Sequence, residues 1–315
     1  MSFGRKVAFD LSNRDDDSAI IDLLNSSFRT PISEAEWNWF SYENPHGINR
    51  SYVLRDKKKI IGCYCVNDMR VLQNGSALVV GYANHLAVAP EFRGAFAFLS
   101  FSKNVFDRER DMGTQFLIGP PNKTSYQSHK SLAGWRDFGR LDSLVKNNLA
   151  HERHSCQEIM EFNGEFELLQ NFVSRNQSFV VEKSALWLTW RYIDRPGKPY
   201  TSFSYRIDGV LAGYIVLKQW HESGGYKKAH VMDLCAINNE VVNQLLLAAF
   251  DYSADCNELN LWCPQQSVYY ETFMDAGFIA NIGATQPLIY KPLMGEHFGD
   301  LKHNWMFMYG DADGY

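Results

Sequence analysis

The chain has 315 residues, a formal net charge of −5 at pH 7, 45% apolar residues and 21% charged residues. This length suits two domains of roughly 150 residues better than one, and the negative charge excludes a general electrostatic attraction to nucleic acid or an anionic membrane surface. No apolar run approaches the roughly 20 residues of a membrane span, and residues 1–17 contain no apolar leader, so we expect a cytoplasmic protein that binds neither nucleic acid nor membrane.

Apolar residues in the first half follow helix-like and strand-like spacings in turn. The predicted elements are, in chain order, a helix at 16–28, strands at 51–54, 60–66 and 77–88, a helix at 95–110, a strand at 115–118 and a helix at 124–133. Acidic residues 15–17 suit the first turn of the opening helix. Asn74 and Gly75 predict a tight hairpin turn before the third strand.

The second half repeats the first. Residues 121–135 align without a gap with residues 264–278, sharing a proline, a tyrosine, an Ala-Gly pair and a closing aromatic at an offset of 143. Residues 39–45 align with 190–196 at an offset of 151. Two blocks repeated in the same order indicate two homologous halves, each long enough for its own core. Further predicted elements of the second half are a helix at 241–252, a strand at 258–262 and a helix at 267–276.

These patterns predict an α+β (mixed α/β) fold with two tandem domains, residues 1–150 and 151–315, each a mixed, largely antiparallel central sheet flanked by helices. The six cysteines include no C-x-x-C pair and lie mostly in apolar runs, which indicates reduced core thiols. His151 and His154 have helical spacing but no third ligand nearby, so we expect a solvated helix face and no metal site.

Residues 86–98, LAVAPEFRGAFAF, resemble the central signature of the GNAT superfamily of N-acyltransferases, in which a strand leads into an R-x-x-G-x-G/A turn that opens a helix. Free N–H groups and the positive dipole end of such a helix suit a pyrophosphate, and Arg93 adds a permanent charge. This sequence departs from the pattern at Phe96 and Phe98, which stand where the family has glycine.

The resemblance implies one domain of this family per half, and an acyl-CoA cosubstrate. In the family, the strands corresponding to 86–88 and 116–118 splay apart, and pantetheine lies between them along the backbone of the first strand. The residues placed against CoA are Leu86, Ala87, Val88, Arg93, Gly94, Ala95, Phe96, Ala97 and Asn122. Tyr126 and His129 are both candidates for the general acid that protonates the leaving thiolate, although Tyr126 is also open to a role as a core aromatic.

The second half has no Arg-Gly turn after its equivalent strand, and Glu240 stands near the start of its helix. A pyrophosphate would be repelled there and would gain no cation. We therefore expect a single CoA site, in the first half, with the second half shaping the acceptor pocket.

Residues 190–196 and 305–313 resemble a subset of tandem GNAT proteins linked to bacterial surface polysaccharides. This resemblance implies a nucleotide-linked amino sugar as the acceptor, with a deoxythymidine diphosphate sugar favoured. Two alternatives stay open: an acyltransferase acting on a peptidyl or aminoacyl amine, and a non-catalytic acyl-CoA-binding protein.

Direct attack of a neutral amine on the thioester would need an oxyanion donor and a way to remove a proton. The backbone N–H groups of residues 86–88 are candidates for the donor. Asn84 either orients the reacting groups or is an amide packed at the sheet edge. In the second half, the candidate bases are Asp233, Asp311 and Asp313. The candidate acceptor-binding residues are Arg191, Asp311 and Asp313. Because amino-sugar amines have a lowered pKa, water is an alternative to any dedicated base.

Overall fold

The computed structural model describes residues 7–28, 31–197, 199–222, 224–295 and 304–312, with the side chains of residues 95–97 excepted. The elements up to residue 146 are β1 (Val7–Leu11), α1 (Asp17–Ser27), α2 (Glu34–Tyr42), β2 (Arg50–Asp56), β3 (Lys59–Gln73), β4 (Ser76–Val88), α3 (Ala95–Asp111), β5 (Phe116–Gly119), α4 (Lys123–Ser131) and β6 (Arg136–Lys146). The elements that follow are β7 (Gln157–Glu158), α5 (Gly164–Ser174), β8 (Phe179–Val181), α6 (Ala185–Tyr192), β9 (Thr201–Ile207), β10 (Val210–His221), β11 (Lys227–Ala236), α7 (Asn239–Tyr252), β12 (Glu258–Cys263), α8 (Tyr270–Asp275), β13 (Ile279–Ala280) and β14 (Gln286–Pro292).

The chain divides into two compact units that do not follow one cut in the sequence. The first comprises residues 1–69, 79–138 and 288–298, and the second comprises the remaining segments. A single division at residue 150 would treat each half as continuous, whereas the contacts assign residues 70–78 to the second unit and 288–298 to the first. The assignment of these two segments could not be predicted, because strand pairing between distant segments leaves no local signal in the sequence.

In the first unit the strand order is β1-β2-β3-β4-β5-β14. Strands β1 and β2, β2 and β3, and β5 and β14 pair antiparallel, while β4 and β5 pair parallel. The turn between β3 and β4 has positive φ at Asn74 (50°) and Gly75 (78°), the conformation of the predicted hairpin turn. A core that includes Trp37, Tyr52 and Phe101, all at most 1% exposed, packs helices α1, α2 and α3 against the sheet.

In the second unit the strand order is β6-β12-β11-β10-β9-β7. The β11–β12 pair is parallel, and the other neighbouring pairs are antiparallel. A separate core gathers α7, α8 and the central strands around residues such as Leu245 and Phe273, both fully buried. The two sheets confirm the predicted mixed α/β class with largely antiparallel pairing.

Helix α8 begins later than the predicted residue 267. The Ser267 amide bonds the Pro264 carbonyl in a turn, and the Ser267 hydroxyl accepts from the Tyr269 amide, so the chain turns before it becomes helical. None of the helices in the described part of the chain combines the length and apolar character that a membrane crossing requires.

Candidate active site

Strands β4 and β5 separate soon after they meet. They pair only at Gly81 with Leu117 and at Tyr82 with Ile118, yet β4 continues to Val88. At the point of divergence the backbones are so close that a Cβ on Gly119 would lie 2.8 Å from the Ala83 carbonyl oxygen. We call the opening beyond this point, between residues 83–88 of β4 and Gly119, the β4–β5 fork. Beyond Tyr82, β4 has no pairing with β5, so its backbone on this side is available to an extended ligand.

His85, in the middle of β4, has a left-handed backbone with φ of 44°. Histidine is among the residues that adopt this conformation more readily than most, but it still interrupts the regular alternation of a strand. In a regular strand, the alternation of side chains would place Asn84 and Leu86 on the same face. The left-handed residue between them breaks this alternation. The imidazole packs edge-on against Phe40, with ring centroids 4.9 Å apart.

The side-chain amide of Asn84 is held on all sides. It is 8% exposed, its Nδ2 donates to Asn67 Oδ1 (2.8 Å) and to the Tyr82 carbonyl (3.0 Å), and its Oδ1 lies 2.7 Å from His85 Nδ1. Asn67, 2% exposed, continues the network by donating to the Phe40 carbonyl. Both N–H groups of Asn84 are therefore committed, so these contacts favour a role in shaping β4 over direct contact with a substrate.

The helix after the fork begins with free amides. Gly94 is the N-cap of α3, and no side chain caps this terminus. Its first N–H groups, those of residues 95–97, therefore present the positive end of the helix dipole to the loop. Arg93 is exposed, and its Nε donates to the Val88 carbonyl (2.7 Å), which fixes the guanidinium beside the end of β4. Phe98 packs against the core instead of obstructing the turn.

Asn122 is the N-cap of α4, because its Oδ1 accepts a hydrogen bond from the Ser125 amide (2.8 Å). Further along the same helix, the Tyr126 hydroxyl donates to Asp137 Oδ1 (2.8 Å) and accepts from Lys130 Nζ (3.2 Å). Burial works to raise the pKa of Asp137, but the bonds from Lys130 and Tyr126 prevail and lower it. Tyr126 thus carries a phenol proton that a polar network orients.

His129 lies in a different environment from Tyr126. Its Nδ1 is 2.8 Å from the Ser125 carbonyl, so Nδ1 carries the proton, and its ring stands edge-on to Phe98 and Trp135 at 5.3 and 5.2 Å. Burial lowers the pKa of His129, which keeps the imidazole neutral. Both protons are already in hydrogen bonds, that of His129 with the Ser125 carbonyl and that of Tyr126 with Asp137, but only the Tyr126 hydroxyl also accepts a bond from a cation, Lys130, that can replace a lost proton. Of the two candidate acids, the contacts favour Tyr126.

The acidic residues predicted in the second half meet at a buried lysine. Lys183 Nζ lies 2.6 Å from Asp233 Oδ1 and 3.1 Å from Asp311 Oδ1. Tyr192 and Tyr214 each donate to Asp233 Oδ2, at 3.1 and 3.2 Å. Burial lowers the pKa of Lys183, but the two carboxylates outweigh it and raise the pKa above its ordinary value. We call Lys183, Asp233 and Asp311 the acid–lysine cluster; its contacts favour structural roles for both carboxylates.

Arg191, predicted as an acceptor ligand, is 2% exposed and holds the end of the chain. Its Nε donates to the Gly310 carbonyl (2.7 Å), its Nη2 to the Ala312 carbonyl (2.9 Å), and its Nη1 to the Tyr200 hydroxyl (3.2 Å). These bonds leave the guanidinium facing protein instead of solvent. Asp313 lies outside the described residues.

The parallel strands of the second unit also diverge, but their opening is filled. Strand β11 pairs with β12 only from Lys228 to His230 and then continues to Ala236. The ring of Tyr309 packs there against Trp262 and His230, with centroids 4.5 and 5.3 Å apart. Beside it, Gly310 approaches so closely that a Cβ would lie 2.8 Å from the Met232 carbonyl oxygen. The chain's own C-terminal segment thus takes the place where the first unit leaves a gap.

Sequence reasoning missed several residues of these networks, among them Asn67, Lys130, Asp137 and Lys183. Lys183 had a signal, a cation two residues after the apolar residues 179–181. Within the described residues, no group of three or more His, Cys, Asp or Glu side chains is arranged to hold a metal ion.

Comparison with known proteins supports the same fold. Residues 9–133 match the family model for an acetyltransferase (GNAT) domain. A search of curated proteins found no match. Among solved structures, a GCN5-related N-acetyltransferase from Anabaena variabilis aligns with a TM-score of 0.72 and 12% identity, covering 91% of this chain and 73% of the other.

Two further structures show the same likeness. A GCN5-related N-acetyltransferase from Kribbella flavida aligns with a TM-score of 0.66 and 14% identity, over 91% of this chain and 71% of the other. The Saccharomyces cerevisiae N-myristoyltransferase, with bound myristoyl-CoA, aligns with a TM-score of 0.66 and 10% identity, over 92% of this chain and 81% of the other. The chain therefore has the GNAT fold, and residues 9–133 match the acetyltransferase (GNAT) domain model.

Proposed function

We propose that this protein transfers an acyl group from acyl-CoA to the primary amine of a nucleotide-linked amino sugar, of the deoxythymidine diphosphate type, for surface polysaccharide synthesis. The observation that carries the transferase reading is the β4–β5 fork followed by the uncapped start of α3. A pantetheine arm in the fork can bond the β4 backbone as an added strand would. The pyrophosphate then reaches the amides of residues 95–97 and the charge of Arg93.

The family match covers the part of the chain that forms this fork. A protein of the same fold, the yeast N-myristoyltransferase, carries an acyl-CoA in its solved structure. The filled opening between β11 and β12, together with Glu240 at the start of α7, supports a single CoA site in the first unit. The sugar acceptor rests on the resemblance of residues 190–196 and 305–313 to nucleotide-amino-sugar acyltransferases.

The chemistry is direct transfer. The neutral amine attacks the thioester carbonyl carbon, a C–N bond forms, and the oxyanion accepts hydrogen bonds from backbone N–H groups of residues 86–88. The C–S bond then breaks, the thiolate takes the phenol proton of Tyr126, and the ammonium proton leaves to water. Asp137 and Lys130, which bond the Tyr126 hydroxyl, position that proton and restore it through solvent. Because Asp233 is fully buried and paired with Lys183, the proposal assigns it no role as a base.

A thiol-release assay tests this function. Purified protein is mixed with acetyl-CoA and, in separate reactions, a dTDP-linked amino sugar, an amine-bearing peptide, or no amine. We expect free CoA to appear fastest with the amino sugar and not to appear without an amine. Faster turnover on the peptide would replace the proposed acceptor, and no amine-dependent release with either would leave a non-catalytic acyl-CoA-binding protein.

The acid is tested with two variants on one helix. Tyr126→Phe, which removes only the hydroxyl, should lower kcat by about 10²–10⁴-fold, the range typical of proton transfer by a positioned side chain. His129→Gln should lower kcat less than Tyr126→Phe. The reverse order would assign the acid to His129, and no effect from either would take both out of the mechanism.

A further inference from the structure

The second unit contains a cavity of about 490 Å³ that the proposed acyl transfer does not use. It opens between the end of α5, the start of α7 and the turn before α8. Its walls are formed by Phe172, Val173, Asn176, Gln177, Ala236, Ile237, Asn238, Asn239, Glu240, Val268, Tyr269 and Asn304. Its size falls within the roughly 300–1,000 Å³ of pockets that bind small molecules. We call it the α5–α7 pocket.

Five of the lining residues carry side-chain amides, and one of these amides has unmet hydrogen-bonding capacity. Within the described residues, the buried Oδ1 atom of Asn304 has no hydrogen-bond partner, while its Nδ2 donates to the Asn176 carbonyl. Gln177, 6% exposed, lines the same cavity. Buried polar groups are normally satisfied, so the unpartnered Asn304 oxygen beside the cavity indicates a ligand that donates a hydrogen bond.

Three large apolar side chains of the lining are also exposed. Phe172 is 55% exposed, Val268 49% and Ile237 39%. An exposed aromatic ring offers a flat surface to the C–H face of a ligand.

The charges of the lining residues restrict the class of ligand further. Among the described residues that line the pocket, Glu240 is the only charged one, and none is a lysine or an arginine. Phosphate and pyrophosphate groups need cations or bidentate guanidinium donors, and a carboxylate repels them. The pocket therefore does not suit a second CoA or a free nucleotide, although it lies at the helix start that corresponds to the CoA-binding turn of the first unit.

We propose that the α5–α7 pocket binds a neutral sugar. Amides donate and accept at once, which matches neighbouring hydroxyl groups, so Gln177 and Asn304 bond adjacent hydroxyls of the ring. The ring of Phe172 stacks on the C–H face, and Glu240 accepts from one further hydroxyl. This proposal does not rest on the proposed acyl transfer.

Saturation-transfer difference NMR on the full chain tests the proposal. The probes are methyl α-glucoside, methyl α-galactoside and N-acetylglucosamine, with inorganic pyrophosphate as a charged competitor. We expect saturable transfer to at least one sugar, strongest at its C–H protons, and no displacement by pyrophosphate. Absence of saturable transfer from all three sugars, or displacement by pyrophosphate, would overturn the proposal.

Matched variants locate the binding. Phe172→Ala and Gln177→Met should each weaken the binding of the tightest-binding sugar at least tenfold. Leu168→Ala, one turn earlier on α5 and 71% exposed but outside the pocket, should leave binding unchanged. Asn239→Ala and Asn243→Ala form a second such pair on α7; of these two residues, Asn239 lines the pocket and Asn243 does not.

The fold of each variant is checked by its unfolding midpoint. Gln177 also borders a small inner cavity beside Lys183 and Asp233. If Gln177→Met is well folded and its sugar affinity is unchanged, the Gln177 amide serves that inner cavity. If the sugar affinity of Phe172→Ala is also unchanged, the proposed site is refuted. Because thiol release is measured separately, failure here leaves the acyl-transfer proposal intact, and the converse also holds.

Discussion

Gly119 sets how close β5 comes to β4 where the fork begins, so adding one methyl group there should disturb both stability and CoA binding. The added Cβ would lie 2.8 Å from the Ala83 carbonyl oxygen, about 0.6 Å short of ordinary contact, which starts at 3.4 Å. The obstructing atom is backbone and cannot rotate away, so the strands must move. Overpacking of this kind costs about 1–3 kcal/mol, of which about 0.4–1 kcal/mol is offset because alanine restricts the unfolded chain.

We therefore expect Gly119→Ala to lower the free energy of unfolding by about 1–2 kcal/mol. We also expect it to weaken the binding of acetyl-CoA about tenfold, since a loss of about 1.4 kcal/mol in binding free energy corresponds to that factor. Urea denaturation and titration calorimetry measure the two effects. Gly164→Ala is the matched control, because no atom lies within 4 Å of its added Cβ and the residue sits at the start of α5. CoA affinity in Gly119→Ala equal to wild type, with the control also unchanged, would refute the view that the fork holds the ligand.

Three further predictions concern single residues. Arg93→Ala should raise the KM for acetyl-CoA with little change in kcat, because the lost charge acts on a part of the ligand remote from the reaction; an unchanged KM would place the pyrophosphate elsewhere. Lys183→Met should lower the free energy of unfolding by about 3–5 kcal/mol, since it leaves two buried carboxylates without their cation; a loss under about 1 kcal/mol in urea denaturation would contradict this reading of the acid–lysine cluster. Burial lowers the pKa of His230 from 6.5 to about 4 in the folded protein. As the pH falls, the histidine is therefore protonated in the unfolded chain before it is protonated in the folded one. The free energy of unfolding is thus highest above pH 6.5 and decreases as the pH drops toward 4. From pH 7 to pH 5 this one group should cost about 2 kcal/mol, and urea denaturation of His230→Gln should show a correspondingly shallower pH dependence; identical pH dependence in both proteins would argue against it.

Local patterns predicted the strands and helices around the fork. The helix predicted at 95–110 is α3, and the strand predicted at 115–118 is β5 with ends shifted by one residue. Such elements follow from apolar spacing and turn residues close together in the chain. Asn122 shows that a local signal can also be overlooked, because an asparagine directly before a helix is a typical N-cap and the structure uses it as one.

Features that depend on distant contacts could not be predicted. The cation that accompanies Asp233 and Asp311 comes from Lys183, which is 50 residues before the first of them. Arg191, predicted as an acceptor-binding residue, bonds carbonyls 119 and 121 residues further along the chain. The left-handed backbone at His85 likewise depends on packing against Phe40, which no strand pattern records.

Titration calorimetry with acetyl-CoA tests the central claim, that the diverging strands of the first unit alone bind the cosubstrate. The account predicts uptake of one equivalent per chain, weakened by Arg93→Ala and by Gly119→Ala. Uptake of two equivalents would mean that the second unit binds CoA despite its own C-terminal segment. No uptake of acetyl-CoA or of longer acyl-CoAs would contradict the account at its base.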